Sequence, residues 1–462
     1  MPGEPRSGAY GMSVGPKRGF RASGRHDPEN RPAPESNNLF YARLIYRLVH
    51  ARCGRLVQMV FATLEDVEFS HKTVLVRVDF NSPIDPASNL ILDDKRFREH
   101  LPTIEALEDA KVVILTHQSR PGKNDFTTLE VHADKLQRML GHPVTYIDDI
   151  FGRCARDAVR ALDPGEVLML ENVRFNAEEN LKLKPEDARS THIVKKLSAL
   201  GDLFVNDAFG TAHRSQPTVV GLPLAMRSAA GLLMEREVAT LSRVFEGAPR
   251  PVTFVLGGTK VDDSIDVARH VLDRGIADAV MVVGVVANVF LLADGVDIGT
   301  PSAQLIDQLG AQKEVETART LLREHRDQII VPDHVAVRED GGRAEYGIGS
   351  IPGDAPILDL GLDSLVRFSD TLASSGTVVF NGPAGVFEDD LFAAGTHELL
   401  KAATKAEFSV VGGGHTAAVI EKLGIDEKFT HISTGGGACI EFLTGKTLPA
   451  VAALEQSRLL FP

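Results

Sequence analysis

From about residue 60 onward, short apolar runs rich in β-favouring residues alternate with amphipathic stretches of helical period. In the first half the runs fall at 74–78, 112–116, 144–147, 167–170 and 203–206, with helical pattern between them, for example over 95–109 and 129–140. The series restarts at 252–256, 279–283, 329–331, 378–380 and 409–411. Strands that alternate with helices build βαβ units, and so a parallel sheet covered by helices on both faces. Two such series predict an α/β chain of two doubly wound, Rossmann-like parallel-sheet domains. Their joint is expected in a helical hinge over 232–243.

A length of 462 residues suits two sizeable cores plus extras. No apolar run approaches the roughly 18 residues that span a bilayer, so no membrane partner is expected. The three cysteines, Cys53, Cys154 and Cys439, are scattered, which excludes a disulfide framework and fits a reducing, cytoplasmic setting. The net charge of −13 is uneven: residues 1–58 hold ten Lys/Arg against four Asp/Glu, so they carry +6 and the remainder −19. A body that acidic repels phosphate backbones, which argues against nucleic acid as a partner. Residues 1–38 lack hydrophobic period and read as disordered, and 39–60 could form an Arg-bearing amphipathic helix. Such a leader reads either as an organelle transit peptide or as translated upstream sequence with Met59 as the true start. The second is favoured because the folded pattern begins just after Met59. The expected division is therefore a basic extension (1–58), a first domain (59–235), a second domain (236–446) and a C-terminal segment (447–462).

Ligands of open α/β sheets sit beyond the carboxyl ends of the strands. In the first half those positions hold Asp79, Asn81, His117, Arg120, Arg174 and Arg214, with Arg96 opening the first helix. Forked guanidinium donors suit phosphate and carboxylate oxygens, and gathering several is costly unless an anion joins them. Each could instead be a surface arginine in its own salt bridge; strand-end placement in an acidic body favours the shared anion. His117 alone would read as a hydrogen-bonded structural histidine, but its three-residue spacing from Arg120 favours a phosphate contact. In the second half the corresponding positions hold Gly257, Gly258, Lys260, Asn381, Gly382, Glu388 and the run Gly412, Gly413, Gly414. That last run, between an apolar strand and a helix opening near Thr416, exposes backbone N–H groups to an anion, unless it is only a tight structural turn. Two look-alikes fail. Gly445-Lys446-Thr447 ends like a Walker loop, but Ile440 stands where its first glycine is needed. Gly412-x-Gly414-x-x-Ala417 fits a loose dinucleotide pattern but lies near the C-terminus, with no ribose-reading acid about 20 residues on.

Seven segments in order carry a resemblance: RVDFNSP (77–83), HQSRP (117–121), LENVRF (170–175), NDAFGTAHR (206–214), GGTK (257–260), NGPAGVFE (381–388) and STGGGA (433–438). Together they resemble phosphoglycerate kinase, and HQSRPG, AHRSQP and GGGHT look closest to its archaeal branch. The resemblance implies reversible transfer of the γ-phosphoryl of ATP to the carboxylate of 3-phosphoglycerate, giving 1,3-bisphosphoglycerate and ADP, with Mg²⁺ accompanying the nucleotide. It implies a first domain that holds 3-phosphoglycerate through Asp79, Asn81, Arg96, His117, Gln118, Ser119, Arg120, Arg174 and Arg214. It implies a second domain that holds ATP through Lys260, Asn381, Glu388, Gly412, Gly413, Gly414, His415 and Thr416. Arg96, Lys260, Gly414 and Gly436 are the implied catalytic set, and 447–462 is expected to pack back on the first domain. Without the resemblance, Glu388 would read as one solvated acid beside Asp389 and Asp390.

A carboxylate acceptor is already anionic and needs no general base, so catalysis is expected to be positioning plus charge neutralisation. Two positions depart from many relatives. Ser264 stands where a second lysine is common, and His415 where an aspartate is common. Imidazole is a poor Mg²⁺ ligand, so the metal is expected on phosphates and water, with Asp263 as a further candidate. A non-catalytic nucleotide-binding relative and a two-domain dehydrogenase are the rival functions, and the assembly is expected to be a monomer or homodimer.

Overall fold

The computed structural model describes residues 60–462. The basic extension 1–58 and the proposed start at Met59 lie outside the described residues. The first sheet contains β1 (Thr73–Arg77), β2 (Lys111–Leu115), β3 (Val144–Ile147), β4 (Val167–Leu170), β5 (Leu203–Asn206) and β6 (Ser228–Ala230). Its order is β3-β4-β2-β1-β5-β6, and every pairing is parallel. β1, β2, β4 and β5 are buried on both faces, which is why they read as unbroken apolar runs rather than alternating ones.

The second sheet is built from β7 (Val252–Leu256), β8 (Ala279–Val282), β9 (Ile329–Ile330), β13 (Thr377–Asn381), β14 (Phe408–Gly412) and β15 (His431–Ile432), in the order β15-β14-β13-β7-β8-β9, again all parallel. Between β9 and β13 the chain forms a separate antiparallel sheet from β10 (His334–Glu339), β11 (Gly342–Gly347) and β12 (Ile357–Leu360). The hairpin turns through Asp340 and Gly341, both at positive φ, the geometry a two-residue hairpin loop requires.

Seven helices position the site: α1 (Lys95–Ala106), α2 (Leu232–Phe245), α3 (Val261–Asp273), α4 (Gly284–Ala293), α5 (Gly414–Leu423), α6 (Gly436–Leu443) and α7 (Pro449–Leu460). α2 runs from the last strand of the first sheet towards the first strand of the second. Buried side chains of α2, among them Met234, Val238 and Leu241, join one core with Phe254 and Leu256 of β7 and Leu454 of α7. α7 lies against β6, with Ala450 N–H donating to the Ala212 carbonyl (3.0 Å) and Ser457 Oγ to the Met226 carbonyl (3.3 Å).

Candidate active site

The carboxyl end of β1 is the centre of the first-domain rim. Arg77, which closes that strand, is buried; it donates through Nε to Thr218 Oγ1 at 3.1 Å and through Nη2 to His117 Nδ1 at 3.0 Å. Burial lowers its pKa, and Glu179, which accepts from the same Thr218 hydroxyl at 2.6 Å, opposes that shift. Two residues on, Asp79 pairs with Arg96 of α1. Burial would neutralise Asp79, but the guanidinium charges of Arg96 and Arg77 outweigh it and hold the carboxyl well below its usual range.

The 117–120 segment then divides its side chains. His117 is buried, and burial together with Arg77 pushes its pKa well down, so the ring is neutral. Gln118 turns inward: its amide donates to the Ser82 carbonyl at 3.1 Å and its oxygen meets His132 Nε2 at 3.1 Å. The Gln118 side chain is thus engaged inside the domain and not at the rim, where the resemblance put it. Ser119, at φ 55°, donates its backbone N–H to Asn81 Oδ1 at 2.7 Å, so Asn81 shapes the loop, while Arg120 is exposed. Arg174 donates to the Ser119 carbonyl; burial and the neighbouring Arg214 and Arg77 bring its pKa down to about 10. Among the described residues none of Arg120, Arg174, Arg214 and Lys260 forms a salt bridge.

Arg77 and His213 belong to this cluster although neither was singled out from the sequence. The signal for Arg77 is an arginine ending the otherwise apolar run Thr73–Arg77. His213 sits beside Arg214, whose Nε donates to His213 Nε2 at 3.4 Å; burial and Arg214 bring its pKa down to about 4. A guanidinium only donates. The nitrogen facing each arginine must therefore accept, and the proton sits on the other one. Those nitrogens, His117 Nε2 and His213 Nδ1, are buried and have no partner among the described residues.

The second-domain face is made of closely set loops. Gly257 N–H donates to the Asn381 carbonyl (2.8 Å) and Gly258 N–H to the Pro383 carbonyl (3.0 Å), so the GGTK and NGPAGVFE turns lie side by side. Gly382, at φ 86°, passes over Gly257 too closely for any Cβ. Lys260 is exposed where α3 begins. Asn381 Oδ1 overhangs the turn into α5, where a Cβ on Gly412 would lie 2.8 Å from it. Gly413 has φ 92°, Gly414 begins α5, and the buried Thr416 hydroxyl has no partner. Gly436 begins α6 beside the same turn: a Cβ there would stand 3.8 Å from Gly414 N. Two helix N-termini therefore meet at one bare backbone cradle, the arrangement that receives a phosphate.

Beside this cradle lies a cavity of about 210 Å³ walled by Gly258, Gly284, Leu305, Val335 and Leu360, with Glu388 and His415 also at its wall. Asn288 of α4 also lines it, and its buried Oδ1 is unpartnered. An apolar slot with one unsatisfied amide fits a flat heteroaromatic base. Ser264 is buried with an unpartnered hydroxyl and adds no charge.

The two faces meet at the waist. A Cβ on Gly435 would collide with the Phe209 ring, and one on Gly437 would lie 3.3 Å from His213. Glu237 of α2 accepts from His431 Nε2 (2.7 Å), Thr434 N–H (2.7 Å) and Thr434 Oγ1 (2.8 Å). Burial opposes ionisation of Glu237, but these partners together keep its pKa below the ordinary value.

A family model described as phosphoglycerate kinase matches residues 64–446. A phosphoglycerate kinase of Methanocorpusculum labreanum is 65% identical over 399 residues, covering 86% of this chain and 98% of that protein. One from Methanothermus fervidus is 47% identical over 401 residues, covering 86% and 98%. The crystal structure of phosphoglycerate kinase from Pyrococcus horikoshii OT3 superposes with a TM-score of 0.80 at 44% identity, covering 87% of this chain and all of that one.

Proposed function

This chain belongs to the phosphoglycerate kinase family, and from that premise we infer how the residues of its two facing rims divide the reaction. The reaction is the reversible, ATP-dependent phosphorylation of the carboxylate of 3-phosphoglycerate. The observation that carries the assignment of sites is a set of donors that lack an anionic partner. His117 Nε2–H, His213 Nδ1–H, Arg174 and Arg214 gather without a carboxylate partner, opposite a bare glycine cradle. Such a cluster is tolerable when an anion completes it.

In this reading Arg120, Arg174, Arg214 and the two histidine N–H groups hold the phosphate of 3-phosphoglycerate. Asp79 and Asn81 orient its hydroxyl and carboxylate. The base of ATP enters the slot beside Asn288, with Glu388 at the ribose, and its phosphates lie against Asn381, Gly412–Thr416 and the start of α6. Lys260 and Arg96 neutralise the phosphoryl group in transit, and the backbone N–H groups at Gly414 and Gly436 assist. The acceptor carboxylate attacks phosphorus in line, the bond to the β-phosphate oxygen breaks, and ADP leaves with that pair of electrons. No proton moves.

Among the described residues no three His, Cys, Asp or Glu side chains gather to cage a metal, whereas the cradle fits phosphates that bring their own ion. Mg²⁺ carried on the nucleotide would screen the phosphate charge, with Asp263 one of the two acids in the first turn of α3. No helix among the described residues is long and apolar enough to cross a membrane, and we place the enzyme in the cytoplasm as a monomer or homodimer.

A coupled assay for ATP- and 3-phosphoglycerate-dependent product formation tests this. Turnover requiring both substrates is expected. ATP binding without turnover would instead identify a non-catalytic relative, and NAD(P) binding in place of ATP a dehydrogenase.

A further inference from the structure

Helix α1 reaches the substrate rim with its first turn and the hinge helix α2 with the rest. Arg96 pairs with Asp79. One turn on, His100 is buried, and its Nε2 accepts the backbone N–H of Asp79 at 3.0 Å. Since that N–H can only donate, the ring proton is on Nδ1, which gives it to Asp207 Oδ2 at 2.6 Å. The other oxygen of Asp207 accepts the N–H groups of Leu233 (2.9 Å) and Met234 (3.3 Å). Three residues past His100, Thr103 Oγ1 accepts the N–H of Leu232 at 2.9 Å. Glu99, on the adjacent stripe of α1, pairs with Arg236 of α2.

The residue preceding α2 is Gly231, which has no side chain with which to cap it. The first three N–H groups of the hinge helix are therefore all satisfied by Thr103 and Asp207, side chains of the substrate-binding half. Arg96, His100 and Thr103 follow the i, i+4, i+7 spacing of a single helix stripe, so the contact to Asp79 and the contact to α2 share one rigid face. Every link between Asp79 N–H and Leu233 N–H is buried, and close-packed interiors pass displacement on rather than absorb it.

We propose that α1 couples substrate occupancy to domain closure, with His100 the positioning residue that ties the backbone of Asp79, through Asp207, to the N-terminus of the hinge helix. A ligand anion that draws Arg96 and Asp79 apart re-sets the Asp79 loop, and the buried His100–Asp207 link carries the change to the cap of α2. His100 touches neither substrate. It acts on the rate by setting how often the two rims meet. The proposal rests on the phosphoglycerate kinase reading of the rim.

The test uses Thr103→Val, which keeps side-chain shape and removes only the cap on Leu232, together with His100→Leu and His100→Asn. Small-angle scattering reads the contraction of the full-length protein on adding 3-phosphoglycerate with a non-hydrolysable ATP analogue, and kinetics separate kcat from KM. Thr103→Val and His100→Leu are expected to contract less and to lose about tenfold in kcat, the equivalent of one or two lost buried hydrogen bonds. The KM for ATP should stay within about twofold, because no nucleotide contact changes. His100→Asn, which can still donate to Asp207, should recover part of both. Full contraction and wild-type kcat with only a lowered melting temperature would show a merely structural role and overturn the proposal. So would a raised KM for 3-phosphoglycerate with full contraction at saturation. If His100→Leu fails to fold, Thr103→Val decides alone. A wild-type protein without turnover would remove the functional reading itself, whereas turnover with unimpaired variants removes only the coupling.

Discussion

Arg77 Nη2 stands 3.0 Å from His117 Nδ1, and this contact fixes which nitrogen of the histidine carries the proton. Nδ1 must accept, so Nε2–H is left as a buried donor without a partner. His117→Ala is expected to raise the KM for 3-phosphoglycerate by about tenfold or more, from the roughly 1.5–3 kcal/mol of a hydrogen bond to a charged group. The KM for ATP should not move, and steady-state kinetics with each substrate varied checks both. An equal rise in the two KM values would mean that the substitution disturbs the fold rather than the substrate.

Lys260 lies at the start of α3 with no salt-bridge partner among the described residues. On the proposed mechanism, Lys260→Met removes a charge needed chiefly while the phosphoryl group is in flight. The expected loss in kcat is about 10²–10³-fold, in line with removal of a single transition-state charge contact. The KM for 3-phosphoglycerate should change little. A variant that loses affinity but keeps kcat would place Lys260 in ground-state binding only.

The two parallel sheets were legible because β1, β2, β4, β5, β7 and β13 are buried on both faces and leave unbroken apolar runs. What escaped has a physical reason in each case. β6 is Ser228–Ala230, too small-residued to register as apolar, and β15 is only His431–Ile432. β10 is buried only over its three residues 335–337 and β11 is half-exposed, and at their turn end Arg338 faces Arg343 and Glu339 faces Gly342, so their hydrophobic signal is short and weak. At the rim, strand-end position located most of the cluster but could not show direction. Gln118 and Ser119 are neighbours in the sequence, yet the Gln118 side chain turns into the core while Ser119 stays in the loop. The tautomers of His117 and His213 depend on arginines brought close by the fold, which spacing along the chain does not reveal.

His415 lies 5.9 Å from the Phe387 ring, at the wall of the base cavity, and among the described residues it belongs to no metal-holding cluster. His415→Asp therefore adds an oxygen ligand near the phosphates without removing one. Mg²⁺-dependent activity should survive, measured as kcat against Mg²⁺ concentration, with the half-saturating concentration equal or lower. Abolished activity would show that the imidazole has a role of its own.

Acid should weaken the fold through His132. Its Nε2 meets Gln118 Oε1 at 3.1 Å, its Nδ1 is buried without a partner, and burial pulls its pKa down to about 4. The unfolded chain, with a histidine near 6.5, binds the extra proton first, so stability is full above about pH 6.5 and falls as pH drops towards 4. Between pH 7 and 5 this one residue should remove about 2 kcal/mol. Urea midpoints across that range check it, and His132→Gln should flatten the slope by that amount. An unchanged slope would mean that the ring already finds a proton acceptor when charged.

The C-terminal helix α7 gives the last prediction. Residues 447–462 were expected to pack back on the first domain; Leu448, Ala450, Ala453 and Leu454 are buried in the core shared with α2, and Arg458 donates to the Phe61 carbonyl at 3.2 Å. Deleting the segment would strip two leucine-sized and several smaller apolar side chains from that core, at about 1.5–3 kcal/mol of lost burial for each large one, comparable with the total stability of a domain. The deletion should therefore unfold the first domain rather than only slow the enzyme. Leu454→Ala is the graded version, with an expected loss of about 2–5 kcal/mol for a leucine cavity. Because Leu454 shares its core with α2, kcat should fall together with stability. Denaturant melts and steady-state kinetics on the same preparation separate the two effects. A deletion variant with unchanged melting and turnover would show that α7 contributes neither packing nor closure.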